Sequence, residues 1–271
     1  MTPPTLVLAG HSLRRIRGAA LGTALLLGAF QFLLTQVANY LLSRQAFSAL
    51  SALLPAFVQN MMGPSGLAFA SFTGIVTFGY FHPVVIATLV TLTIAVATEP
   101  AAEVESRFVD LALARPLTRA HVITRTLVVF AVVTALVLLV MMISTETGLA
   151  CCTAADAPRP APRVIRGLAA SLAALMACWL GITLLIASRA RRRVSAGTLA
   201  GGLALATYLL DYLGRVWQPV SGLARLSPFH YFEPTTLVAG QPLSGGNIAT
   251  LAGIAFTTIA AAYAVYSQRD I

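Results

Sequence analysis

The run G-I-V-T-F-G-Y-F-H-P-V-V-I-A-T-L-V-T-L-T-I-A-V-A-T, residues 74–98, carries no formal charge. It leads directly into E-P-A-A-E-V-E-S-R-F-V-D-L-A-L-A-R-P-L-T-R-A-H-V-I-T-R, residues 99–125, where nine residues are charged or His. A helix crosses the hydrocarbon layer with about 20 apolar residues, so the first run is long enough to span. Residues 124–146 are apolar again, which makes 99–125 a polar connection between two spans. A chain that avoids charge elsewhere and gathers it in one connection uses that connection to meet something soluble.

The rest of the composition agrees. The chain is 58% hydrophobic and 10% charged, with a mean hydropathy of +0.82. Soluble domains carry about 25% charged residues, so this is an all-α integral membrane protein. Six spans are expected, at 18–42, 74–98, 124–146, 166–187, 194–213 and 246–266. With their connections they fill 1–271 as a single transmembrane domain. Residues 46–73 are broken by Pro55, Gly63, Pro64 and Gly66 and read as an outer re-entrant or interfacial piece, since broken backbone at membrane depth must pack against protein.

The net charge of +9 comes from eighteen Arg and no Lys. These charges lie between apolar spans, so they set topology and meet lipid headgroups rather than nucleic acid. With the N-terminus inside, twelve Arg fall on inner segments and six on outer ones, which places both termini inside. The cluster Arg159, Arg163 and Arg166 runs against this bias. The turn S-R-A-R-R-R, residues 188–193, reads as a headgroup anchor. The absence of Lys also excludes a phosphate loop of the G-x-x-x-x-G-K-[ST] type, so nucleotide chemistry must come from another subunit.

Other chemistries fit less well. Gly63-Pro64-Ser65-Gly66 matches the G-x-S-G of a serine nucleophile, but it sits in the broken outer segment and no His lies mid-span, so a turn is the reading. A proton relay needs acids within the spans, and Asp211 has Arg215 four residues on as an ion-pair partner. Adjacent Cys151 and Cys152 do not bridge without strain, and with Cys178 they form no metal-binding spacing; all three read as fillers or loop residues. No metal site is expected.

Within the connection, Val104, Phe108, Leu111 and Ala112 recur at helical spacing along Glu103–Ala114, with Glu103, Arg107 and Asp110 on another face. Pro116 stops this helix and Thr118 caps the next. The result is a short amphipathic helix on the membrane face, able to pass a push from a soluble subunit to spans two and three.

Glu103-x-Glu105 followed by L-A-L-A-R-P-L-T-R, Leu111–Arg119, resembles the cytoplasmic signature of the type-two permease family of ATP-binding-cassette exporters. The L-S-P-F-H-Y-F of Leu226–Phe232, the ending Q-R-D-I of Gln268–Ile271 and the six-span count are also similar to that family. The chain departs from it at Ala112 and Ala114, where the family often has Leu and a small polar residue. The resemblance implies an N-terminal interfacial helix around Arg14–Arg17 and a cytoplasmic coupling helix between spans two and three. Glu103, Glu105, Arg107, Asp110, Leu111, Arg115, Pro116 and Arg119 would couple to the ATPase.

The same resemblance implies two permease copies over two copies of a separate ATPase. ATP and Mg would bind on that partner, with no cofactor or catalytic residue on this chain. Arg-only, Ala-rich usage fits a high-GC bacterial genome, which together with the resemblance implies the bacterial cytoplasmic membrane. The cargo expected is hydrophobic or amphipathic, because Phe30, Phe32, Phe130, Met141, Met142, Met176, Trp179 and Tyr208 offer apolar surface in the spans. The competing readings are a membrane component of an assembly complex and a membrane enzyme.

Overall fold

A computed structural model describes residues 4–44, 71–105, 119–154 and 157–268. All regular structure among these residues is helical: α1 (Pro4–Ser43), α2 (Phe72–Thr77), a 3-10 turn (Phe78–Tyr80), α3 (Pro83–Ala97), α4 (Glu99–Glu105), α5 (Arg119–Cys152), α6 (Pro162–Arg189) and α7 (Arg193–Val216). Two further 3-10 turns (Gln218–Val220 and Pro228–Tyr231) then alternate with α8 (Ser221–Ala224) and α9 (Pro234–Val238), before α10 (Gly245–Ser267). Six segments are long and apolar enough to cross a membrane: Leu8–Ser43, Phe72–Ala97, Ala120–Cys152, Pro162–Arg189, Arg193–Val216 and Gly245–Ser267. The protein is therefore a multi-pass, all-α membrane protein, and each expected span falls on one of these segments.

Helix α1 is one unbroken element of 40 residues. At about 1.5 Å per residue it is roughly 60 Å long, about twice the hydrocarbon thickness. The turns holding Arg14, Arg15 and Arg17 are thus continuous with the first span, and all three side chains are exposed. The second span, in contrast, is broken. Pro83 supplies no N–H and opens α3 at its first position, while His82 Nδ1 accepts the Val84 N–H at 3.2 Å as the cap.

Ahead of that break the chain tightens into the Phe78–Tyr80 3-10 turn, and Gln31 on α1 donates from Nε2 to the Val76 carbonyl at 2.5 Å. A carbonyl freed by broken backbone in an apolar layer needs such a partner. Tyr80, fully buried, meets Thr145 of α5 through its hydroxyl at 3.1 Å. The break is thus held between α1 and α5 by side chains.

Helices α1 and α5 form one closely packed pair, α6 and α10 another, and α6 also touches α3, α5 and α7. Lipid tails are as apolar as the side chains, so association depends on close contact and small residues. Gly28 shows this: a Cβ there would stand 2.7 Å from Val140 Cγ1 on α5. Helix α6 is the centre of the bundle. Leu168, Leu172, Leu175, Met176, Trp179, Leu180 and Leu184 are all buried on it, and truncating Trp179 to Ala would cost about 3–5 kcal/mol.

Helix α7 is peripheral. It buries the small stripe Ala196, Ala200 and Ala204 at i, i+4, i+8 and turns Leu199, Leu203, Leu205, Leu209 and Leu213 outward, as a lipid-facing helix does. The expected re-entrant segment 46–73 lies outside the described residues except for 71–73. There Ser71 caps α2 by accepting the Gly74 N–H at 3.0 Å.

Candidate functional site

Four helices that begin or end at the Glu99 end of the bundle are tied together by charge. Thr98 interrupts the second span, and α4 follows with Glu99 in its first turn, where a carboxylate complements the helix dipole. Glu99 Oε2 lies 3.6 Å from Arg15 Nη1 of α1, and Glu99 Oε1 lies 3.4 Å from Arg193 Nη2 of α7. One carboxylate so bridges the first and fifth spans. Glu103, one turn on, forms an ion pair with Arg125 of α5. That guanidinium is 5% exposed and Glu103 is 12% exposed, so the pair is largely withdrawn from solvent.

Glu105 and Arg193 serve each other's helices. Arg192, at the N-cap of α7, offers no side-chain acceptor, and Glu105 Oε2 takes the Arg193 backbone N–H at 2.9 Å. The Arg193 guanidinium in turn donates to the Ala95 carbonyl at 2.9 Å and to Thr98 Oγ1 at 3.4 Å, at the last turn of α3. A carboxylate at a helix start and a cation at a helix end are each stabilised by the dipole, by about 0.3–1 kcal/mol at exposed sites. The clasp therefore joins α1, α4, α5 and α7 around the point where the polar connection leaves the second span.

Of the residues expected to couple to an ATPase, Glu103 and Glu105 stand in this clasp. Arg119 opens α5, and nothing is described of its side chain. Arg107, Asp110, Leu111, Arg115 and Pro116 lie outside the described residues. The helix expected from Glu103 begins earlier, at Glu99. Sequence reading did not find Glu99, Thr98 and Arg193 as partners, and it gave Arg125 no role. The usable signal was economy: the chain has nine acidic residues, and an acid at a span end needs a cation nearby.

The turn read as a headgroup anchor divides in two. Arg189, Arg191 and Arg192 are exposed, whereas Arg193 turns to the clasp.

At the other end of α7, Asp211 is buried and accepts from Arg215 Nε through Oδ2 at 2.9 Å, as the i, i+4 spacing indicates. Asp211 Oδ1 is buried without a hydrogen bond, and His230 Nδ1 stands 3.5 Å away. His230 is brought there by the Pro228–Tyr231 turn, in which Ser227 Oγ accepts the Phe229 N–H at 3.1 Å. Phe229 packs between Trp179 and Tyr208, with ring centroids at 5.6 and 5.4 Å.

The apolar residues expected along a substrate path mostly do other work. Met141, Met176 and Trp179 are fully buried and Phe130 nearly so, while Phe32 is exposed on the outer face of α1. Tyr208 does line open space. It borders a cavity of about 380 Å³ between α3 and α7 and a second of about 180 Å³ at Asp211, and Ile86 and Phe229 also border both.

Cys151 and Cys152, expected as separate thiols, are joined by a disulfide in the last turn of α5; Cys178 is free and buried in α6. The G-x-S-G at 63–66 lies outside the described residues. Among the described residues, no three His, Cys, Asp or Glu side chains are grouped to hold a metal ion.

Comparison with protein-family models, with curated proteins and with solved structures returns no match to this chain.

Proposed function

We propose that this chain is the membrane-spanning subunit of an ATP-driven exporter of the type-two permease kind. It moves a hydrophobic or amphipathic compound, such as an antibiotic, drug or lipid-like product, out of the cell. Two copies pair above two copies of a separate ATPase, which binds ATP and Mg and carries all catalytic residues. The membrane is the bacterial cytoplasmic one, with both termini on the ATPase side.

The observation that supports this best is the clasp at Glu99–Glu105. The segment entering the polar connection is tied to α1 through Arg15, to α5 through Arg125 and to α7 through Arg193. A displacement of α4 by a soluble subunit is thereby carried to three spanning helices at once. Residues 106–119 then supply the surface that the ATPase grips, as the likeness of Leu111–Arg119 to the family signature implies. The lack of any Lys supports placing hydrolysis on the partner.

The experiment is affinity isolation of the tagged chain from its native membrane. An ATPase with a phosphate loop should co-purify, the complex should hydrolyse ATP, and the chain alone should not. Robust hydrolysis by the isolated chain would end the proposal. A complex that hydrolyses ATP without moving lipophilic dyes or drugs in proteoliposomes would favour the assembly role instead.

A further inference from the structure

We infer that the two neighbouring cavities between α3 and α7 form a binding site for an apolar molecule bearing a protonated amine, with Asp211 as the acceptor of its head group. The inference rests on the exporter reading only in making this molecule the cargo; the binding site itself is argued from the residues.

The larger cavity, about 380 Å³, is almost wholly apolar. Pro83, Val84 and Val90 line it on α3, and Ala204, Leu205 and Tyr208 on α7. Its size falls at the low end of drug-sized sites, which run from about 300 Å³. Both walls are spanning helices, and the exposed side chains Val84 and Leu205 border it, so a ligand enters sideways from the lipid. The smaller cavity, about 180 Å³, adjoins it across Ile86, Tyr208 and Phe229 and is lined by Asp211, Arg215 and Tyr212.

Asp211 supplies the chemistry. Its side chain is 9% exposed and lines the smaller cavity beside Arg215, whose Nε donates to Oδ2, while Oδ1 is closed off facing His230 Nδ1. A carboxylate oxygen accepts, so a head group that replaces Arg215 on Oδ2 must bring an N–H or O–H donor. A carboxylate or phosphate would meet like charge there. A cation gains the stronger, charge-assisted bond and can rest against the Tyr208 ring.

Charge balance describes how the amine is seated. Asp211 and Arg215 cancel, so an added ammonium competes with the guanidinium. The Arg215 side chain is 47% exposed at the end of α7, where a long stem lets its head move out to water or headgroups. The ammonium then takes the carboxylate that Arg215 vacates. His230 Nδ1, 3.5 Å from Oδ1, bounds the other carboxylate oxygen from the Pro228–Tyr231 turn.

The test is equilibrium binding to the full chain in phosphatidylcholine nanodiscs, read by fluorescence anisotropy against empty nanodiscs. Three probes share one apolar body: octane-1,8-diamine dansylated at one end, its N-acetylated form, and dansylated 8-aminooctanoic acid. The amine should bind saturably and about tenfold or more tighter than the acetylated probe, the scale of one charge-assisted hydrogen bond. The carboxylate should bind no better than the acetylated form.

Asp211→Asn should abolish the preference for the amine, and Arg215→Gln should tighten amine binding by removing its rival. Equal binding of the amine and acetylated probes, a preference for the carboxylate, or a preference unchanged in Asp211→Asn would overturn the inference. If Asp211→Asn does not fold, the three probes on the native chain and on Arg215→Gln decide it. None of these measurements needs an ATPase, so loss of the amine preference leaves the exporter reading standing, and absence of an ATPase partner leaves the amine site standing.

Discussion

Glu105 Oε2 accepts the backbone N–H of Arg193 at 2.9 Å, so the segment that leaves the second span caps the helix that begins the fifth, 88 residues later. The bond is directional and charge-assisted, and it places a carboxylate at the positive end of the α7 dipole. Glu105→Gln keeps an acceptor but removes the charge, and Glu105→Lys puts a cation against that dipole and beside Arg193. Expected outcomes are a small loss of thermal stability for Gln, within about 1 kcal/mol, and loss of ATPase co-purification or of coupled transport for Lys, with insertion intact in both. Unchanged transport in Glu105→Lys would show that the clasp is passive.

The Glu103–Arg125 pair is withdrawn from water, and that decides how its variants should rank. Removing one member of a buried pair leaves a charge without its partner, at a cost of about 3–5 kcal/mol, whereas replacing both with apolar side chains is often neutral. Glu103→Leu, which strands the buried Arg125 guanidinium, should therefore lower the unfolding midpoint of the purified protein well below that of the double variant Glu103→Leu, Arg125→Leu. Additive losses in the double variant would mean that the two side chains act independently.

A second relationship of this kind sits at the broken span. Gly79 packs so closely on Gln31 that a Cβ there would meet Gln31 Oε1 at 1.9 Å. Gly79→Ala must push Gln31 away from the Val76 carbonyl it holds at 2.5 Å, adding a lost hydrogen bond to overpacking. A destabilisation of about 1–3 kcal/mol is expected by thermal unfolding in detergent. Gln31→Ala should remove part of the penalty of Gly79→Ala, because the clash and the bond share one side chain. Full additivity would place the cause elsewhere.

What the sequence disclosed follows the range of the interactions. Length and hydropathy are local, so the six spans were legible, and so was Asp211–Arg215, whose partners lie one helical turn apart. Glu99–Arg193 and Glu103–Arg125 join residues 94 and 22 positions apart, and no periodicity marks such pairs. Arg193 read as one more headgroup anchor because its three exposed neighbours are of the same residue type. The L-S-P-F-H-Y-F stretch was legible as a motif similar to the permease family, but not that His230 would face Asp211 across the chain. The aromatic and Met residues of the spans were legible as apolar, yet nothing in an apolar residue says whether it fills the core, as Trp179 does, or lines a cavity, as Tyr208 does.

Topology offers the last test, since the Arg bias assigns the sides of the membrane. Cys151 and Cys152 end α5, whose other end begins at Arg119 near the clasp. If the clasp faces the cytoplasm, this disulfide faces outward, and both sulfurs lie in exposed residues. An impermeant maleimide added to intact cells after mild reduction should therefore label the chain, and omitting the reductant should prevent it. Cys178 is fully buried in α6 and should stay unlabelled until the protein is denatured, which a Cys151→Ser, Cys152→Ser variant would reveal as a loss of all labelling on intact cells. Labelling that requires lysis of the cells, with reductant present throughout, would invert the orientation. It would also turn the Glu99–Glu105 clasp away from any cytoplasmic ATPase, so the same experiment bears on the energy source as well as on topology.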